Sequence, residues 1–173
     1  MFEVRPALPS ELGVLVAIDD DASQLYAEHG IQLTLTPDHE FCRAERARWQ
    51  RSLTLGRALL AVDRDGHGAG FATLDWLDEA AYLDQLAVRL GAMRQGIGRS
   101  LLEHARAWGR AEGARALWLT TYGHLRFNRP YYERHGFEVV PDADCGPSLR
   151  HHLDEQRRFL PEPTERVAMR HVL

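Results

Sequence analysis

The segment LDQLAVRLGAMRQGIGRSLLEHA, Leu83 to Ala105, changes character halfway along. Its first residues alternate as a strand does; its last carry apolar side chains at helical spacing. At the junction stand Gly96 and Gly98, flanked by Arg94 and Arg99. Glycine inside a helix costs about 1 kcal/mol relative to alanine, so a pair at a helix start implies a compensating role. A helix N-terminus presents unpaired N–H groups and a partial positive charge. Without Cβ atoms, the oxygens of a phosphate can reach those groups. A tight turn needing positive φ would also choose glycine, and these residues alone leave both readings open. Two familiar phosphate loops are excluded. A dinucleotide fingerprint needs a third glycine where Leu101 stands, and a P-loop needs a Gly-Lys-Ser/Thr ending in a chain without lysine.

The rest of the chain sets bounds. A length of 173 residues, 45% hydrophobic and 27% charged, suits a single soluble domain over 1–173. A net charge of −4 argues against a nucleic-acid partner. The longest strongly apolar run, LGVLVAI from Leu12, is too short to span a bilayer, so no membrane partner is expected. The N-terminus lacks a basic region followed by an apolar core, and Cys42 and Cys145 are too few for a disulfide framework; a cytoplasmic setting follows. All 21 basic residues are arginine. Codon bias explains that, as would an amine-modifying enzyme that avoids modifying itself.

Residues 2–5 read as a strand. Helices are expected over 9–30, with Ser10 as cap and Leu12, Leu15, Val16, Ala22 and Leu25 on one face, and over 38–53. Strands follow at 58–63, 68–77 and 80–88, then a helix over 96–113 with Ile97, Leu101, Ala105 and Trp108 inward. A strand at 116–122, a short helix over 128–137, a strand at 137–140, a helix over 147–159 and a strand over 165–172 complete the chain. Hairpins before residue 88 and a strand–helix–strand unit after it imply an α/β domain: a mixed, twisted sheet flanked by helices on both faces.

The segment LDQLAVRLGAMRQGIGRSLLEHA, then ALWLTTY (116–122) and NRPYYERHGF (128–137), resembles the GCN5-related N-acetyltransferase (GNAT) superfamily. The resemblance implies transfer of an acetyl group from acetyl-CoA, as acyl-donor substrate, to a primary amine by direct attack in a ternary complex. It implies that backbone N–H groups around Gln95, Gly96, Ile97, Gly98 and Arg99, with Arg94, hold the pyrophosphate. The signature's first position, Gln or Arg in the family, falls on Met93. Leu86, Ala87 and Val88 correspond to the splayed strand end that pairs with pantetheine and offers an N–H to the thioester carbonyl. Tyr132, four residues before the Gly-Phe pair, corresponds to the tyrosine near the CoA sulfur; Tyr131 is turned about 100° away by helical geometry. Asn128 matches a cofactor-contacting asparagine and serves equally as a helix cap. The rival reading is a CoA-binding sensor that has kept the fold without catalysis.

A general base is less evident. Strict alternation along 80–88 puts Tyr82, Asp84, Leu86 and Val88 on one face, which makes Asp84 the acidic candidate. His124 is a second, histidine being the residue type most used for proton transfer near neutrality. No zinc-type spacing of His and Cys occurs, so no metal is expected. The run DDD at 19–21 reads as a solvated helix face, or as an attractor for a cationic substrate together with Glu28 and Glu40. The acceptor is expected to be a small-molecule amine or a protein N-terminal or lysine amine. A homodimer is compatible with the family.

Overall fold

The computed structural model describes residues 1–173. Seven strands form one sheet: β1 (Glu3–Pro6), β2 (Ala58–Val62), β3 (Gly68–Leu77), β4 (Ala80–Val88), β5 (Ala116–Tyr122), β6 (Glu138–Val140) and β7 (Arg166–Val172). Their order is β1-β2-β3-β4-β5-β7-β6. All neighbours are antiparallel except β4 and β5. The exception follows from connectivity, because a helix, α3 (Ile97–Ala111), carries the chain back between them. The remaining helices are α1 (Leu12–Glu28), α2 (Glu40–Thr54), α4 (Arg129–Glu133) and α5 (Pro147–Phe159). The α/β mixed sheet expected from the sequence is thus present. No helix is long and apolar enough to cross a membrane.

Alternating strand residues sort the helices onto two faces. Ile97, Leu101, Leu102 and Ala105 of α3 pack on Ala61, Ala72, Leu74 and Leu117. On the other face, Leu15 and Ile18 of α1 and Trp49 and Leu53 of α2 meet Leu60 and Phe71. There α5 seats Leu149 and Leu153 against Tyr82 and Ala168. Each large apolar side chain so buried contributes roughly 1.5–3 kcal/mol. Ser10 does not cap α1. A 3₁₀ turn over Pro9–Glu11 leads into the helix, and Glu11 ties it down by accepting from the Leu8 N–H at 2.7 Å and pairing with Arg5 at 2.6 Å.

The register along β4 corrects the one-face reading. Thr73 pairs with Gln85 but Leu74 pairs with Leu83, so Asp84 is the extra residue of a β-bulge. Tyr82 and Asp84 face α5 and α2, and Gln85 turns to the same side. Leu86 and Val88 pack instead toward α3. Two adjacent polar side chains thereby point the same way, which alternation forbids.

Beside the bulge the sheet opens. β4 and β5 pair only at Ala81–Leu117 and Tyr82–Trp118. Beyond Tyr82 the two strand edges diverge, and a wedge forms between Leu83–Val88 and the end of β5. Residues of that wedge line both cavities described below.

Candidate active site

The larger of two adjoining cavities, about 710 Å³, is floored by Leu86–Val88 and walled by the start of α3. None of the amides from Arg94 to Arg99 finds an acceptor within the chain. Gly96 and Gly98 permit this for different reasons. Gly96 has φ +84°, in the left-handed region that favours glycine, and starts the helix there. Gly98 is a matter of space: a Cβ there would sit 3.0 Å from the Tyr131 hydroxyl. Arg94 also has positive φ, at 62°. Gln95 turns its side chain back to the Gly91 carbonyl at 3.4 Å, so it adds only backbone to the cradle. Arg99 pairs with Glu103 along the helix at 2.9 Å. A run of free amides at a helix start, with Arg94 and Arg99 beside it, is a donor set that fits a pyrophosphate.

Tyr132 and Tyr131 lie on the far wall. Tyr132 is buried, lines both cavities, and its hydroxyl makes no hydrogen bond within the chain. Burial pushes its phenol well above the ordinary range, with Tyr26 and Tyr131 adding to the shift, so it is protonated at all working pH values. Tyr131 is not turned out of the site, as helical geometry suggested. Its ring lines the larger cavity with its hydroxyl over Gly98. Asn128 makes no side-chain cap bond; its Nδ2 donates to the Tyr26 hydroxyl at 3.3 Å, between the two cavities.

The smaller cavity, about 280 Å³, is built from side chains of α1, α2 and the sheet. Three carboxylates approach one another in it. Asp84 is committed: Arg48 Nε donates to both its oxygens at 3.2 Å. Asp19 accepts from Gln85 Nε2 at 2.6 Å, and burial raises its pKa to about 6. Glu45 has no cation within ion-pair distance. Burial first, then the charges of Asp19 and Asp84, push it up to about 8.

Most of the expected site residues converge here. Leu86, Ala87, Val88, Met93, Arg94, Gly96 and Asn128 line the larger cavity, and Asp84 the smaller. His124 lines neither. It sits beyond the end of β5, with Nδ1 3.5 Å from Glu165. Glu28 and Glu40 are exposed outside both cavities. The DDD run is not one solvated face: Asp19 turns into the cavity, Asp21 accepts from the Leu90 N–H at 2.7 Å, and Asp20 is exposed at the rim. Glu45 escaped the sequence reading, although a signal existed. It lies four residues before buried Trp49 and eight before buried Leu53, a carboxylate on the inward stripe of α2.

The sequence model of the Acetyltransferase (GNAT) family matches residues 18–137, a span that includes the amide cradle, Tyr132 and all three carboxylates. The chain belongs to this family. A streptothricin acetyltransferase from Streptomyces lavendulae is 35% identical to this GNAT domain over 95 residues. That alignment takes in 52% of this chain and 46% of the relative, so it spans about half the relative's length. Among solved structures, the PaiA N-acetyltransferase from Thermoplasma acidophilum in complex with coenzyme A superposes with TM-score 0.71 at 16% identity, covering 100% of this chain and 99% of that one. A GNAT-family acetyltransferase from Staphylococcus aureus Mu50 gives 0.74 at 16% identity, covering 100% and 99%. N-acetylglutamate synthase from Neisseria gonorrhoeae, complexed with coenzyme A and N-acetyl-glutamate, gives 0.68 at 19%, covering 100% of this chain and 35% of that one. At such identities the structural likeness is one of fold.

Proposed function

We propose that this GNAT domain transfers an acetyl group from acetyl-CoA to a primary amine by direct attack in a ternary complex. The observation that carries the reading is the junction of the two cavities at Tyr132. A phenol without an internal partner stands where a cavity fitted to an anion meets one rich in carboxylates. The amides of Gly96–Arg99 would hold the pyrophosphate, and the free edge of β4 at Leu86–Val88 would align the pantetheine arm. Acetyl-CoA supplies an activated thioester carbonyl.

The chain's own groups manage the protons. Glu45, unpaired beside the acceptor, takes one from the incoming ammonium. As the new C–N bond forms and the C–S bond breaks, a backbone N–H near Ala87–Val88 faces the carbonyl oxygen, where charge develops. Tyr132 gives its proton to the leaving sulfur. Reference pKa values near 10 for a phenol and 8.5 for a thiol make that transfer uphill by roughly 2 kcal/mol. Burial raises the phenol further, so the transfer is feasible where the departing thiolate is desolvated as well and lies within hydrogen-bond reach. Asp84, held by Arg48, keeps the bulge in place and adds negative potential toward the ammonium.

The test is release of free thiol from acetyl-CoA with a panel of primary amines, beside calorimetric titration with coenzyme A. Amine-dependent thiol release is expected. Tight coenzyme A binding with no release across the panel would leave a sensor rather than an enzyme.

A further inference from the structure

Arg166, on β7, is a buried cation without a counter-ion. It is 8% exposed and lines the smaller cavity, outside the stretch matched by the family. Its Nη2 donates to Gln156 Oε1 at 2.8 Å and to Thr120 Oγ1 at 3.4 Å, and its guanidinium lies over the Tyr122 ring at 4.6 Å. These partners are neutral. No carboxylate comes within ion-pair distance, and Nε is buried with no acceptor. A buried charge that is neither paired nor fully hydrogen-bonded is costly. The same cavity holds the opposite fault: Glu45, a partly buried carboxylate with no cation.

A cation without a counter-ion and a carboxyl without a cation thus line one cavity and do not pair with each other. A plain alkylamine would satisfy Glu45 and desolvate Arg166 further. A diamine would add a second cation beside it. We infer that the acceptor is an amine that also bears a carboxylate on a short linker, its ammonium at Glu45 and its carboxylate at Arg166. The cavity, at about 280 Å³, lies at the small end of ligand sites, which suits an amino acid or short ω-amino acid. This assignment rests on the acyl-transfer reading above and narrows its substrate class.

The experiment pairs each amino acid with the analogue that lacks the charge. Glycine, β-alanine, γ-aminobutyrate, glutamate and lysine are compared with their α- or ω-carboxamides and with the matching decarboxylated amines. Thiol release gives kcat/KM. Calorimetry in the presence of coenzyme A gives affinity whether or not transfer occurs. For at least one set the acid should exceed its amide by about 10–100-fold, the worth of a charge-assisted hydrogen bond. In Arg166→Gln that ratio should fall toward one. In Arg166→Lys, which keeps the charge, part of it should return. Amides or decarboxylated amines that bind and react as well as every acid would overturn the assignment while leaving acyl transfer intact. An unchanged ratio in folded Arg166→Gln would overturn it too. If no amine releases thiol, the acyl-transfer reading fails, and equal calorimetric affinity for acid and amide would sink the carboxylate site separately.

Discussion

The two cavities that meet at Tyr132 are made of different material. The donors that set the larger apart are backbone: consecutive amides from Arg94 to Arg99 and the open edge of β4. The smaller is mostly side chain: Asp19 from α1, Glu45 and Arg48 from α2, Asp84 from a bulge, Arg166 from the last strand. A backbone site tolerates many side chains and is broken only where a Cβ or a charge intrudes. A side-chain site is broken wherever one member of a charge pair is lost. The first suits a ligand shared across a family, the second a ligand particular to one member.

The contrast is sharpest at Gly98. Gly98→Glu puts bulk and a negative charge among the free amides, and acetyl-CoA binding should vanish in calorimetry of the folded variant. Unchanged affinity would mean that the pyrophosphate lies elsewhere. Next comes the boundary residue. Tyr132→Phe should lower kcat by about 10²–10⁴ with coenzyme A affinity nearly intact. Tyr131→Phe should spare kcat and act, if anywhere, on coenzyme A affinity, since its hydroxyl lies at the cradle. Reversed phenotypes would exchange the two assignments.

On the side-chain half, Glu45→Gln should reduce kcat/KM by about 10²-fold and remove a limb of the pH profile near pH 8. A loss equal at all pH values would make Glu45 a positioning residue instead. The same carboxyl has a stability signature. Its pKa is raised from 4.5 to about 8, so the folded chain holds this proton more tightly than the unfolded chain does. Stability is therefore lost as pH rises from about 4.5 through about 8. Glu45→Gln should be the more stable protein at pH 9, by about 2–4 °C in Tm, and should gain nothing at pH 4. Asp84→Asn should do the reverse. It strands Arg48, side chain 16% exposed, without its carboxylate and lowers Tm at neutral pH.

Legibility in the sequence follows the same division. Gly96 and Gly98 mark a backbone site because glycine is chosen for what the main chain must do, and strand-to-helix periodicity around them located the cradle. The alternation of Ala80–Val88 gave the strand but not its faces, because a bulge leaves period two intact on either side and only shifts the phase at Asp84. The side-chain site is invisible to local pattern. Asp19 and Arg166 come to line one cavity only when α1 and β7 pack around the same wedge, and DDD reads as solvated until Gln85 is placed opposite its first member. Glu45 was the exception, written on the apolar stripe of α2 and passed over among the other charges of that helix.

The short ladder between β4 and β5 also has a mechanical side. Two residue pairs are all that join the strands β1–β4 to the strands β5–β7 across the sheet. A continuous sheet shears as one plate; this one has a seam, and bending concentrates where the hydrogen bonds stop. A chain of amides laid into the wedge would act as a suture, carrying load from one half to the other. Exchange protection at Leu83–Val88 would then report occupancy of the seam directly, without any chemistry taking place.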